Sequence, residues 1–116
     1  MKKVYIVAAK RTAIGKFLGS VGEFTPGDLG AVVIKSLIEE TGIKPEQVDE
    51  VIGGNVLSGG QLQGVIRQAS IKAGIPAEVP AYGINMVCGS GMKAVMNGYN
   101  DILVGDADIV IAGGTE

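Results

Sequence analysis

The sequence predicts an α/β fold in which a mostly parallel sheet carries helices on both faces. Three observations lead there. A unit of short apolar run, amphipathic stretch and Gly/Pro stop recurs along the chain, as strands alternating with covering helices require. Hydrophobic residues make up 47% of the sequence and aromatic residues only 4%, so the core is built from Val, Ile, Leu and Ala, the residues of strands buried on both faces. The stops fall at equivalent places: Gly42 with Pro45, Gly74 with Pro76, then Gly105. At 116 residues the chain is one domain's worth, with no linker or low-complexity segment to divide it.

Residues 4–9 are apolar and β-branched and read as a first strand. Their apolar run ends at Lys10-Arg11, too early for a signal-peptide core or a membrane span. A loop follows over 10–23, broken by Gly15, Gly19 and Gly22. Thr25-Pro26-Gly27-Asp28 then starts a helix, with a Thr cap, proline in the first turn and a carboxylate for the free N–H groups. Leu29, Val33 and Leu37, with Val32, Ile34 and Ile38, give that helix its apolar face. Residues 45–48 add a helical turn before a second strand at 50–57, where Gly53 and Gly54 mark a close approach of another backbone or helix.

After a turn at 58–60, Leu62, Val65, Ile66, Ala69 and Ala73 space a second helix over 61–73. Residues 79–84 form the third strand. Met92, Val95, Met96, Tyr99 and Ile102 recur at helical spacing behind it and read as core. A fourth strand at 108–112 ends almost at the last residue, with no helix after it, so exposed apolar surface is expected near Val110. Four strands and three crossover helices predict right-handed connections.

The composition excludes several function classes. A net charge of -2 without a basic stripe argues against a nucleic-acid partner. One cysteine and no histidine make neither an intrachain disulfide nor a structural zinc site, so no metal is expected, and a reducing cytoplasm is compatible. The missing histidine also removes the usual partner that deprotonates a nucleophile.

What remains is Asn85-Met86-Val87-Cys88-Gly89-Ser90-Gly91-Met92, the only cysteine at a strand-to-helix turn. Cys88 is expected in the first turn of the helix, where unpaired N–H groups and the dipole favour thiolate. Gly89, Ser90 and Gly91 remove bulk, so a carbonyl can approach the sulfur and adjacent N–H groups can stabilise an oxyanion. A buried, inert cysteine is the competing reading. Asn85 is assigned to holding the turn, without a catalytic role. Arg11, Arg67 and Gln68 are as readily structural hydrogen-bonders as ligands. Gly89-Ser90-Gly91-Met92-Lys93-Ala94 also fits the G-x-G-x-x-A dinucleotide pattern, with Glu116 as a candidate ribose-binding acid, but it stands in the third unit and not the first.

Taken with Arg11-Thr12-Ala13-Ile14-Gly15, Gly54-Asn55-Val56-Leu57, Arg67-Gln68-Ala69 and residues 105–116, the cysteine motif resembles the N-terminal part of thiolases, specifically the acetyl-CoA acetyltransferases. The resemblance runs in order along the chain. It implies the thiolase-like αβα layered fold, with residues 1–116 as an incomplete N-terminal domain lacking the loop domain and the C-terminal domain. It implies that Cys88 is the nucleophile, acylated by acetyl-CoA and then attacked by a second acetyl-CoA to give acetoacetyl-CoA, or the reverse thiolysis. Coenzyme A esters are then the substrates, with no further cofactor. The family's catalytic histidines and second cysteine have no counterpart in this chain, so the 116 residues alone are expected to be inactive. The resemblance also implies a homodimer or homotetramer of the intact enzyme, paired through residues 79–87; from the composition a cytoplasmic setting is expected, with no membrane or nucleic-acid partner. The alternatives are a related condensing enzyme of the same fold (ketoacyl synthase or hydroxymethylglutaryl-CoA synthase), an NAD-binding module at residues 89–94, and a non-enzymatic assembly module.

Overall fold

A computed structural model describes residues 2–116. Three strands, β1 (Glu50–Gly54), β2 (Ala81–Ile84) and β3 (Val110–Gly114), form one parallel sheet in the order β2-β1-β3. Three helices, α1 (Pro26–Thr41), α2 (Val65–Lys72) and α3 (Ser90–Val104), cover it. Neighbouring residues of a strand point to opposite faces. A side chain on Gly53 would meet Ile66 of α2, and one on Gly54 would meet Ser90 of α3, so α2 and α3 lie on opposite faces of the sheet. The layered α/β architecture and the parallel sheet are as the sequence predicts.

Local signals hold where they are strongest. Thr25 caps α1 in a full capping box: Asp28 N–H donates to Thr25 Oγ1 at 3.1 Å, and Thr25 N–H donates to Asp28 Oδ2 at 3.0 Å. Gly42 and Gly105 end α1 and α3 with φ of 69° and 87°, a left-handed conformation that glycine adopts without penalty. Pro45–Gln47 forms the expected turn of helix, of 3-10 type. Ile34, Val48, Val51, Ile66, Ala69, Ile75 and Val79 make the core between the sheet and the α1/α2 layer.

Four expectations are corrected. Residues 4–9 form no strand: they do not pair with β1, β2 or β3, and Tyr5, Ile6 and Val7 are exposed. A strand needs a ladder partner for its N–H and C=O groups, and none of the three strands supplies one here. The α2 helix begins at Val65, after Gly64 at φ 61°, which leaves Leu62 outside the helix and exposed. The apolar stripe of α3 faces outward: Met92 is 68% exposed, and Val95, Met96 and Tyr99 are exposed with it. The buried positions are Ser90, Ala94 and Gly98, because α3 lies so close to the sheet that a Cβ on Gly98 would stand 2.9 Å from Val110 Cγ1. Val110 is half-buried beneath α3, so the strand face expected to be bare is partly covered.

Among the described residues, no helix is long and apolar enough to cross a membrane.

Candidate active site

The carboxyl ends of parallel strands are where open α/β sheets place their sites, and here β1, β2 and β3 all end near the start of α3. Gly54 and Gly114 make this possible. A Cβ on Gly54 would stand 2.6 Å from Gly91 N, and one on Gly114 would stand 3.4 Å from Gly91 Cα. Only glycine lets the helix N-terminus settle onto the strand ends.

Between β2 and α3 the chain makes a tight elbow. Val87 adopts φ 50°, a conformation that costs a β-branched residue strain. Three bonds hold it there. Val87 N–H donates to Asn85 Oδ1 at 3.0 Å, Met86 N–H donates to Ser90 Oγ at 2.8 Å, and Ser90 Oγ donates to Val87 O at 2.6 Å. Asn85 therefore holds the turn, as its position suggests, and Ser90, only 4% exposed, ties the helix start back to the strand end.

Cys88 sits on this elbow and is exposed. The helix begins at Ser90 with Gly89 as its cap, so the thiol lies just outside the first turn and not within it. The elbow also uses up two neighbouring donors: Gly89 N–H bonds Met86 O at 3.1 Å and Ser90 N–H bonds Val87 O at 3.2 Å. Neither is free for an oxyanion. Being exposed, Cys88 is not the buried residue of the competing reading.

An open depression of about 490 Å³ lies in front of the sulfur. Its walls are Cys88 with Val87 and Ser90 on one side, Val56 and Leu57 on another, and Thr115 and Glu116 at the end of β3. The sequence did not reveal the last two groups as neighbours of the cysteine. Glu116 closes the far side by accepting hydrogen bonds from Val56 N–H at 3.0 Å and Leu57 N–H at 2.6 Å. With both oxygens engaged on the chain itself, Glu116 is not the free acid that a ribose would need, which counts against the dinucleotide reading. The adjacency of β1 and β3 brings Glu116 there, and strand order leaves no local mark on the sequence.

Arg67 and Gln68 stand apart from this site. Arg67 donates to Val79 O and Ala77 O, each at 2.8 Å, and Gln68 donates to Gln61 O at 2.6 Å and to Gln63 O at 3.0 Å, so both hold loops. Among the described residues, Arg11 bonds only the neighbouring Thr12 carbonyl, at 3.0 Å.

Comparison with known proteins meets this geometry at one point. Residues 4–116 match the family model described as thiolase, N-terminal domain. The chain belongs to the thiolase family. Its curated relatives include an acetyl-CoA acetyltransferase of Cupriavidus necator, 60% identical over all 116 residues and covered over 30% of its own length. Another is an acetyl-CoA acetyltransferase of Chromobacterium violaceum, 57% identical over 98% of this chain and 29% of the relative. A third, of Pseudomonas aeruginosa and of the same name, is 53% identical over the whole chain and 30% of the relative. The chain thus spans about 30% of the length of these relatives. The thiolase elbow is built on β2 and α3, with the cysteine at its tip.

Proposed function

We propose that this thiolase domain supplies the acyl-accepting cysteine of an acetyl-CoA acetyltransferase, acting as the N-terminal third of a longer polypeptide. The observation that carries the reading is an exposed Cys88 on a strained elbow, opening on a depression bordered by the N-terminus of α3.

In the first step, the Cys88 thiolate attacks the carbonyl carbon of acetyl-CoA, the C–S bond to coenzyme A breaks, and coenzyme A leaves with a proton. In the second, the deprotonated methyl of another acetyl-CoA attacks the cysteinyl thioester, forming the C–C bond of acetoacetyl-CoA and returning Cys88. The names of the relatives support acetyl-CoA as substrate. This chain's own part is to present the sulfur and to keep bulk away from it through Gly89 and Gly91. The chain holds no histidine, so the bases come from the rest of the enzyme. A homodimer or homotetramer fits β2, which pairs with β1 on one side and is the last strand of the sheet on the other. A cytoplasmic setting fits a single free thiol.

The test is covalent labelling of the complete polypeptide with radiolabelled acetyl-CoA, followed by peptide mass spectrometry. The expected adduct is on Cys88 and is lost in Cys88→Ser. An adduct mapping elsewhere refutes the assignment. The 116 residues alone are expected to form no acetoacetyl-CoA, and turnover by them would show that the missing bases are not required.

A further inference from the structure

We infer that Glu116 is a positioning residue whose carboxylate clamps Val56 and Leu57 into place as the wall that limits the acyl group carried by Cys88; this rests on the thioester chemistry proposed above. The segment after β1 keeps one ladder bond beyond Gly54, Asn55 N–H to Ile84 O at 3.1 Å. Its shape is set at three points on the end of β3. Thr115 N–H donates to Gly54 O at 3.0 Å, Asn55 Nδ2 donates to Thr115 O at 3.0 Å, and the two Glu116 oxygens take the successive N–H groups of Val56 and Leu57. Thr115 is itself anchored, its hydroxyl donating to Pro26 O at 2.7 Å, so the clamp reaches back to the head of α1.

The arrangement is specific to an acid of this length. Two adjacent backbone donors converge on two acceptor oxygens, and each bond is strengthened by the carboxylate charge. Glutamine offers one acceptor and turns a donor toward the other N–H. Aspartate is shorter by a methylene and falls short of both. Leu57 is 74% exposed, so packing does not hold it where it stands. The carboxylate is what holds its backbone beside the depression that Cys88 also lines. A wall held by two hydrogen bonds sets how many carbons fit between it and the sulfur.

The test compares the rates at which acetyl-CoA and butyryl-CoA acylate Cys88 in the complete polypeptide, for the wild type, Glu116→Gln and Leu57→Ala, with iodoacetamide alkylation of Cys88 and the melting temperature measured alongside. The expected result is that the acetyl-to-butyryl preference falls about tenfold in both variants, while the iodoacetamide rate stays within about twofold of wild type. Equal preference in wild type and Leu57→Ala overturns the wall. A shift in Leu57→Ala but not in a folded Glu116→Gln overturns the clamp. A parallel fall of acylation and alkylation in Glu116→Gln also overturns it, because that marks general damage to the elbow. If Glu116→Gln does not fold, Glu116→Asp is assayed in its place under the same criteria. A wild type that no acyl-CoA labels refutes the thioester reading itself, an outcome separate from these.

Discussion

Asn85 holds Val87 in the left-handed region: Asn85 Oδ1 accepts the Val87 N–H at 3.0 Å, and Val87 has φ 50°. Strain of this kind persists only where the surroundings over-determine it, and here it lifts the next residue, Cys88, out of the strand and into solvent.

Val87 is exposed, so replacing it loses little packing. Val87→Gly is expected to leave stability unchanged or raise it by up to about 1 kcal/mol, because relief of strain outweighs the added chain entropy. Urea unfolding of the two proteins checks the sign. A loss larger than about 1 kcal/mol would mean that the valine conformation is not a costly one.

Ser90→Ala removes an acceptor for Met86 N–H and a donor to Val87 O at a buried position. The expected cost is about 1–3 kcal/mol by denaturant unfolding. Cys88 alkylation is expected to change with it, because both bonds tie the elbow to α3.

Gly54→Ala places a methyl about where Ser90 and Gly91 backbone atoms already lie, 2.6 Å from Gly91 N. The helix must move away from the strand ends, at a cost of about 1–3 kcal/mol. The same change at Gly59, which has open space around it, is expected to cost far less. Equal effects at the two positions would contradict the close approach.

Two carboxyls give opposite pH dependence. Asp28 is held down to about 2 by its hydrogen bond from Lys72 and by the Thr25 backbone and hydroxyl. Its folded value lies below its unfolded one, so its contribution is present above the ordinary carboxylate range and is lost as pH falls toward about 2. Glu50 is pushed up to about 7, first by burial and then by Asp101, Asp106 and Asp49. Its folded value lies above its unfolded one, so stability is fully present below the ordinary range and declines as pH rises through about 7. Urea midpoints across pH are expected to flatten at the acid end in Asp28→Asn and near neutrality in Glu50→Gln. An unchanged profile in either variant contradicts the corresponding shift.

The sequence carried the parts of this protein that are decided within a few residues. The capping box at Thr25 and Asp28, the glycine stops at Gly42 and Gly105, and the turn-holding role of Asn85 depend on backbone groups three or four positions away at most. The motif around Cys88 is equally local, and so the family was legible from it. Gly53 and Gly54 read as places of close approach for the same reason: a glycine inside a strand is costly unless something needs its space.

Only the tertiary structure decided which surfaces meet. Residues 4–9 have every local mark of a strand, yet they remain unpaired because a ladder needs a partner strand. Met92, Met96 and Tyr99 have the spacing of a core stripe and nevertheless face outward, because α3 lies close to the sheet and buries the small residues Ser90, Ala94 and Gly98. Glu116 reaches Val56 and Leu57 across sixty positions of sequence because β1 and β3 are neighbours and end together. Periodicity can show that a residue is apolar or charged, but its neighbours are set by strand order and by the separation of the layers. Those are properties of the whole packed chain.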